Sequence, residues 1–209
     1  MIPVKILAVR FLPNASRSLL EKLGTDCHSL ALLTTDCDDA TYIALDEATK
    51  SARAKVVFAR SFYAGAANAT QPYAGEVIGI LGADTPPDAA SAMDAALSAL
   101  EKVGFEEYRG VSFLAHTVSS VGSFLAEEAG VPLGSALAYL IAPPLESMYA
   151  MDAALKAADV ELCKLFEPPS ETNFGGGLLS GTRSACAAAC AAFASAVAEV
   201  AGQPKGEFL

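Results

Sequence analysis

The chain has 209 residues, with 14 Lys and Arg against 24 Asp and Glu, a formal charge of −10 and a pI near 4.6. At 53% hydrophobic and 18% charged residues it is too apolar for disorder, and much of the apolar share is Ala, with no Trp. The acid excess argues against nucleic acid or anionic membrane as partner, since both need clustered Lys and Arg, and residues 1–107 (9 basic, 14 acidic) and 108–209 (5 basic, 10 acidic) each carry −5.

In chain order, Val4–Val9 is a short apolar strand, followed by a helix over Ser16–Leu23 with Ser16 as cap candidate and Gly24 as stop. Ser29–Thr35 is a near-continuous apolar run, so a buried strand. Asp38–Ala54 gathers Ile43, Leu45, Ala48 and Ala52 on one broad surface, so a helix. Lys55–Phe62 and Glu76–Leu81 are β-rich runs, and Pro86–Val103 is a closing helix opened by Pro. The second half repeats this order: Val111–His116, Ser123–Ala129, Ala136–Ala142, Glu146–Ala158, Val160–Phe166, Gly176–Ser180 and Thr182–Ala201.

The repetition extends to the residues themselves. At an offset of 106, Leu19, Glu21, Gly24 and Ser29 match Leu125, Glu127, Gly130 and Ser135. Ala44, Asp46, Ala48, Lys50 and Ala52 match Ala150, Asp152, Ala154, Lys156 and Ala158 at the same offset. A register held without a gap over this length implies two tandem copies of one small domain. The element order predicts an α+β fold, each copy an antiparallel sheet with packed helices, divided as 1–107 and 108–209.

No segment reaches the ~18 consecutive apolar residues of a membrane span. Met1–Lys5 lacks a basic stretch followed by a long apolar run, so no signal peptide is expected. Five Cys at 27, 37, 163, 186 and 190 follow no disulfide framework, which fits a reducing cytoplasm. Cys186 and Cys190, four apart in an Ala-rich helix, read as packing residues rather than ligands. Ser/His proximity at His116, Ser119 and Ser120 is a weak signal for a nucleophile and base, and no catalytic or nucleotide-binding motif accompanies it.

One cluster is denser: Asp36-Cys37-Asp38-Asp39, between a buried strand and a helix. Asp favours helix N-caps and first turns, so one carboxylate is expected to cap. Three acids exceed what a cap needs, and like charges held together attract a cation, organic or metallic. His28 and Cys37 offer softer donors, but their spacing matches no structural zinc pattern. Capping alone, binding of a cation or polar ligand, and metal-dependent catalysis through Asp36–Asp39 all stay open.

Asp36–Lys50, Arg60–Ala67, Ala74–Val77, Ala138–Glu146, Asp152–Val160 and Pro168–Asn173 closely resemble the EutL family of ethanolamine-utilisation microcompartment shell proteins. The likeness spans about residues 3 to 202 with segment order and spacing kept. It implies two circularly permuted microcompartment (BMC) domains per chain, three chains in a flat pseudohexagonal trimer, and neighbouring shell proteins packed edge to edge. It implies no enzymatic activity and no cofactor. It also implies a small pore that binds ethanolamine, with acids resembling Asp38, Asp39 and Glu76 and further contacts resembling Phe105 and Thr172. The segment around Phe105, Gly104–Arg109, diverges from the family pattern. Ser61–Gly75, long and rich in Gly, Ala and Asn, resembles the family's moving loop at a larger central opening. A shell protein of another microcompartment with a different cargo, a metal-dependent enzyme, and a ligand-sensing module outside any shell are the alternatives.

Overall fold

The computed structural model describes residues 1–61, 77–168 and 173–206. The chain forms two compact units. The N-terminal unit comprises Pro3–Gly104 and takes in Gly122–Leu125; the C-terminal unit comprises Met1–Ile2, Phe105–Val121 and Ala126–Leu209.

In chain order the first repeat contains β1 (Ile6–Leu12), α1 (Arg17–Leu23), β2 (Ser29–Thr35), α2 (Asp38–Ser51), β3 (Ala54–Ser61), β4 (Val77–Ala83) and α3 (Pro86–Leu100). The second contains β5 (Glu106–Tyr108), β6 (Val111–Val118), α4 (Ser123–Ala129), β7 (Ala136–Ala142), α5 (Pro144–Ala157), β8 (Val160–Phe166), β9 (Gly175–Gly181) and α6 (Arg183–Gly202). The strands make two antiparallel sheets, ordered β1-β2-β4-β3 and β5-β6-β7-β9-β8.

The repeat survives into backbone detail. Helices α1 and α4, and α2 and α5, stand 106 residues apart at both ends. Gly24 and Gly130 close α1 and α4 in the left-handed region (φ 67° and 65°). Their N–H groups donate to Glu21 and Glu127, and the next N–H of each reaches back to Leu20 or Ala126. Both helices therefore end in the same glycine-terminated motif. The edge strands β3 and β8 slip register at Val56/Phe58 and Leu162/Lys164, again 106 apart. Between β4 and β9 the offset drops to 98, because β8 ends one residue earlier than β3 relative to the repeat and eight residues join it to β9 where fifteen join β3 to β4.

Pairing moves some boundaries away from the hydropathy pattern. Strand β1 runs on to Leu12 because β2 offers a partner as far as Leu30. Strand β5 was not expected: Glu106–Tyr108 is exposed and polar, and only its ladder to β6 makes it a strand. Helix α5 begins two residues earlier than expected, with Pro144 in its first turn, where a missing N–H costs nothing.

In the C-terminal unit α5 and α6 pack on the sheet, burying Leu140, Met151, Leu179, Phe193 and Val197 in one cluster. Each such side chain contributes about 1.5–3 kcal/mol. Cys186 and Cys190 lie in the same cluster, as packing residues, and all five cysteines are free. By length and hydropathy α6 passes for a membrane span, yet the face carrying Cys186, Ala189, Cys190, Phe193 and Val197 is core. In the N-terminal unit Leu20, Leu30 and Ile80 form a smaller cluster where α1 meets β2 and β4.

Candidate functional site

The acid cluster sits where β2 hands over to α2. Strand β2 is buried along nearly its whole length, so its last residue delivers the chain to the sheet's end with its polar groups committed. The Thr35 and Thr41 hydroxyls lie 2.8 Å apart, and both reach the Cys37 carbonyl oxygen, at 2.9 and 2.8 Å. The Cys37 N–H in turn donates to Thr35 Oγ1 at 3.1 Å. This buried hydroxyl pair sets the turn from which α2 starts.

The N-cap position belongs to Cys37, and its side chain makes no capping bond, so the expectation that an Asp caps the helix is corrected. Asp36 instead accepts the Lys5 N–H at 2.8 Å while its own N–H donates back to the Lys5 oxygen at 3.2 Å. That reciprocal pair ties the start of the chain to the end of β2. Asp38 and Asp39 occupy the first turn of α2, where the helix dipole favours negative charge. Asp38 Oδ1 accepts the Asp39 N–H at 2.9 Å. Both acids are only 8% exposed. Two adjacent carboxylates can accept charge-assisted hydrogen bonds from a cation such as an ammonium.

The softer donors do not join them. His28 stands before the opposite end of β2, roughly 25 Å along an extended strand from Asp36. Burial first, then the negative charge of Asp39, push the Cys37 thiol well above its ordinary range, so it stays protonated. Among the described residues no three His, Cys, Asp or Glu side chains are grouped to hold a metal ion. His116 lies within β6 opposite Tyr139, its backbone committed to the ladder.

Phe105 belongs to the C-terminal unit, edge-on to Phe174 with centroids 5.6 Å apart and planes at 73°. The Phe105 carbonyl oxygen accepts the Ile2 N–H, which places the chain's first two residues in that unit. Glu76 and Thr172, and the segment from Phe62 to Gly75, lie outside the described residues.

Sequence reasoning missed a second acid. Asp46, one helical face along from Asp39, is fully buried. Its carboxylate accepts the Gly122 N–H at 2.7 Å and the Leu125 N–H at 2.9 Å, while Lys50 lies 3.8 Å away. Thr49 Oγ1 accepts the Ser123 N–H at 3.1 Å, and Tyr42 packs on Phe124 with centroids 5.9 Å apart. Burial raises the Asp46 carboxyl above its usual range while the two N–H donors pull it back. A Cβ on Gly122 would come within 2.2 Å of Thr49 Oγ1 and 2.6 Å of the Asp46 carbonyl oxygen, so only glycine fits. The signal was present in the repeat, since Gly122 stands where the first copy has Ser16. It could not be read without knowing what faces it.

No protein-family model matches the chain. The chain is 53% identical to the bacterial microcompartment shell protein EutL of Clostridium perfringens, over 99% of this chain and 98% of that one. EutL of Escherichia coli K12 is 44% identical over 98% and 96%. Among solved structures, the ethanolamine utilization protein EutL from Leptotrichia buccalis superposes with a TM-score of 0.94 at 51% identity, covering 98% of this chain and 97% of that one. With two tandem permuted BMC domains and near-complete coverage at such identity, the chain belongs to the EutL family of bacterial microcompartment shell proteins, which are shell components and not enzymes.

Proposed function

We propose that three copies of this chain form a pseudohexagonal tile in the shell of an ethanolamine-utilising microcompartment, and that the tile binds and passes small molecules such as ethanolamine. The division into copies is that of residues 1–107 and 108–209. Ligand binding falls to Asp38, Asp39 and Glu76 for the ammonium, with Phe105 as the apolar contact and Thr172 for the hydroxyl. Ser61–Gly75 is the segment whose rearrangement opens the larger passage.

The observation that carries the reading is the Asp38–Asp39 pair, adjacent and almost fully buried at the head of α2. Side by side at a helix N-terminus, the two carboxylates present oxygens to which the N–H groups of an ammonium can donate. Ethanolamine supplies an ammonium for the acids and a hydroxyl for a neutral partner, which is the chemistry of the five residues. A ligand that prefers one state of the tile shifts the open and closed populations by its differential affinity alone.

Calorimetric titration of ethanolamine into the assembled protein tests this. Asp39→Asn and Glu76→Gln are each expected to weaken binding by about tenfold, the loss of roughly one charge-assisted hydrogen bond. Unchanged affinity in both variants removes the assignment.

A further inference from the structure

The turn from β2 into α2 has a counterpart 106 residues on, from β7 into α5, and the two are built differently. Thr35-Asp36-Cys37-Asp38-Asp39-Ala40-Thr41 aligns with Ile141-Ala142-Pro143-Pro144-Leu145-Glu146-Ser147. In the second copy the rings of two prolines fix the backbone: Pro143 stands at φ −55° just before the first helical residue, Pro144. The first copy has neither ring. Cys37, at the place of Pro143, is extended at φ −145°, a value no proline adopts. The entry to α2 is therefore held by something other than a ring.

Thr35 and Thr41 are both fully buried and stand on either side of the acid-bearing segment. Thr35 Oγ1 accepts the Cys37 N–H, and the two hydroxyls converge on the Cys37 carbonyl oxygen and on each other. Two protons serve these contacts, so one hydroxyl donates to its neighbour while the other donates to the carbonyl oxygen. Cys37 is thus gripped by both of its backbone groups, and the chain leaves it directly into Asp38 and Asp39. The second copy lacks this clamp. Ile141 has no hydroxyl, and the Ser147 hydroxyl donates instead to the Pro144 oxygen at 2.9 Å. The hydroxyl pair occurs in the copy that carries the acids, and the proline pair in the copy that does not.

We infer that Thr35 and Thr41 are positioning residues for the candidate ligand acids: their hydroxyl pair fixes Cys37 and thereby aims Asp38 and Asp39 so that both carboxylates meet one ammonium. This rests on the ligand reading above and deepens it. An uncharged clamp suits the place, because a Lys or Arg there would compete with the ligand for the same carboxylates. Holding the acids in their binding geometry beforehand raises affinity by removing the cost of ordering them.

Calorimetric titration of ethanolamine into the assembled full chain, at a temperature below the melting transition of every variant, tests the clamp. Thr35→Val keeps the side-chain volume and removes the hydroxyl; it is expected to weaken binding about fivefold, the equivalent of one neutral hydrogen bond. Thr35→Ser keeps the hydroxyl and is expected to bind within about twofold of the wild type. Thr41→Val should weaken binding in the same direction. It also leaves the Cys37 N–H its partner, so it carries the test should Thr35→Val fail to fold. Val and Ser variants that bind alike overturn the positioning role, because the hydroxyl is then not what matters. If Asp39→Asn weakens binding while the Val variants bind as the wild type does, the acids hold the ligand but the clamp does not aim them. If Asp39→Asn and Glu76→Gln also bind as the wild type does, the ligand reading itself fails and this inference with it.

Discussion

Helix α2 and helix α5 share length, register and the matched acids Asp46 and Asp152, but their environments are opposite. Asp46 is sealed beneath Gly122–Leu125 and holds two backbone N–H groups; Asp152 stands in solvent beside Lys156. Asp38 and Asp39, buried at the start of α2, become Pro144 and Leu145 at the start of α5. The duplication kept the helix because the sheet beneath both copies still needs its apolar face. What it exposed or covered on the outer face was free to diverge, so the candidate ligand acids occur in one copy alone. A tandem repeat thus yields two chemically distinct ends from one fold.

The comparison breaks most readily at the matched acids. Asp46→Ala leaves two buried N–H groups unpaired and is expected to cost about 3 kcal/mol, whereas Asp152→Ala costs under about 0.5 kcal/mol. Urea unfolding of dilute protein, where association contributes nothing, measures both; equal losses would mean that Asp46 is not held as described. Next comes the close approach. Gly122→Ala should cost about 2 kcal/mol, because its Cβ meets Thr49 and the α2 backbone, while Ser16→Ala is near neutral. A Gly122→Ala protein with an unshifted melting curve contradicts that packing. The smallest effect sharpens the likeness instead. Thr85 and Thr182, at equivalent positions, each accept an N–H three residues on, from Asp88 and Ala185. Thr85→Ala and Thr182→Ala should each cost about 1 kcal/mol, and a difference above twofold would show that the caps do unequal duty.

Much of the fold was legible. Strands β2 and β7 and helix α4 run over the residues that hydropathy assigned, because each is a buried run or an amphipathic stretch closed by glycine whose limits are local; β8 matches too, although none of its residues is buried. Gly24 was readable as a stop for the same reason. Strand β5 and the extension of β1 to Leu12 were not, since only hydrogen bonds to a neighbouring strand define them. At the candidate site, the density of acids in Asp36–Asp39 marked the turn between β2 and α2. The allotment of roles did not follow: Asp36 holds Lys5, Cys37 takes the cap position, and Thr35 with Thr41 shapes the turn.

The even −5 on each half and the offset of 106 are properties of the chain itself, and they determined two copies, their order and their helix registers. Periodicity and glycine placement act over a few residues, so sequence carries them whole. Which Asp lies buried and which lies in water was decided by tertiary structure alone. Asp46 and Asp152 sit in matching segments of sequence, and the difference between them is a stretch of backbone 76 residues away that closes over one and not the other. Burial and hydrogen bonding are set by what arrives from elsewhere in the chain, and no local pattern records that.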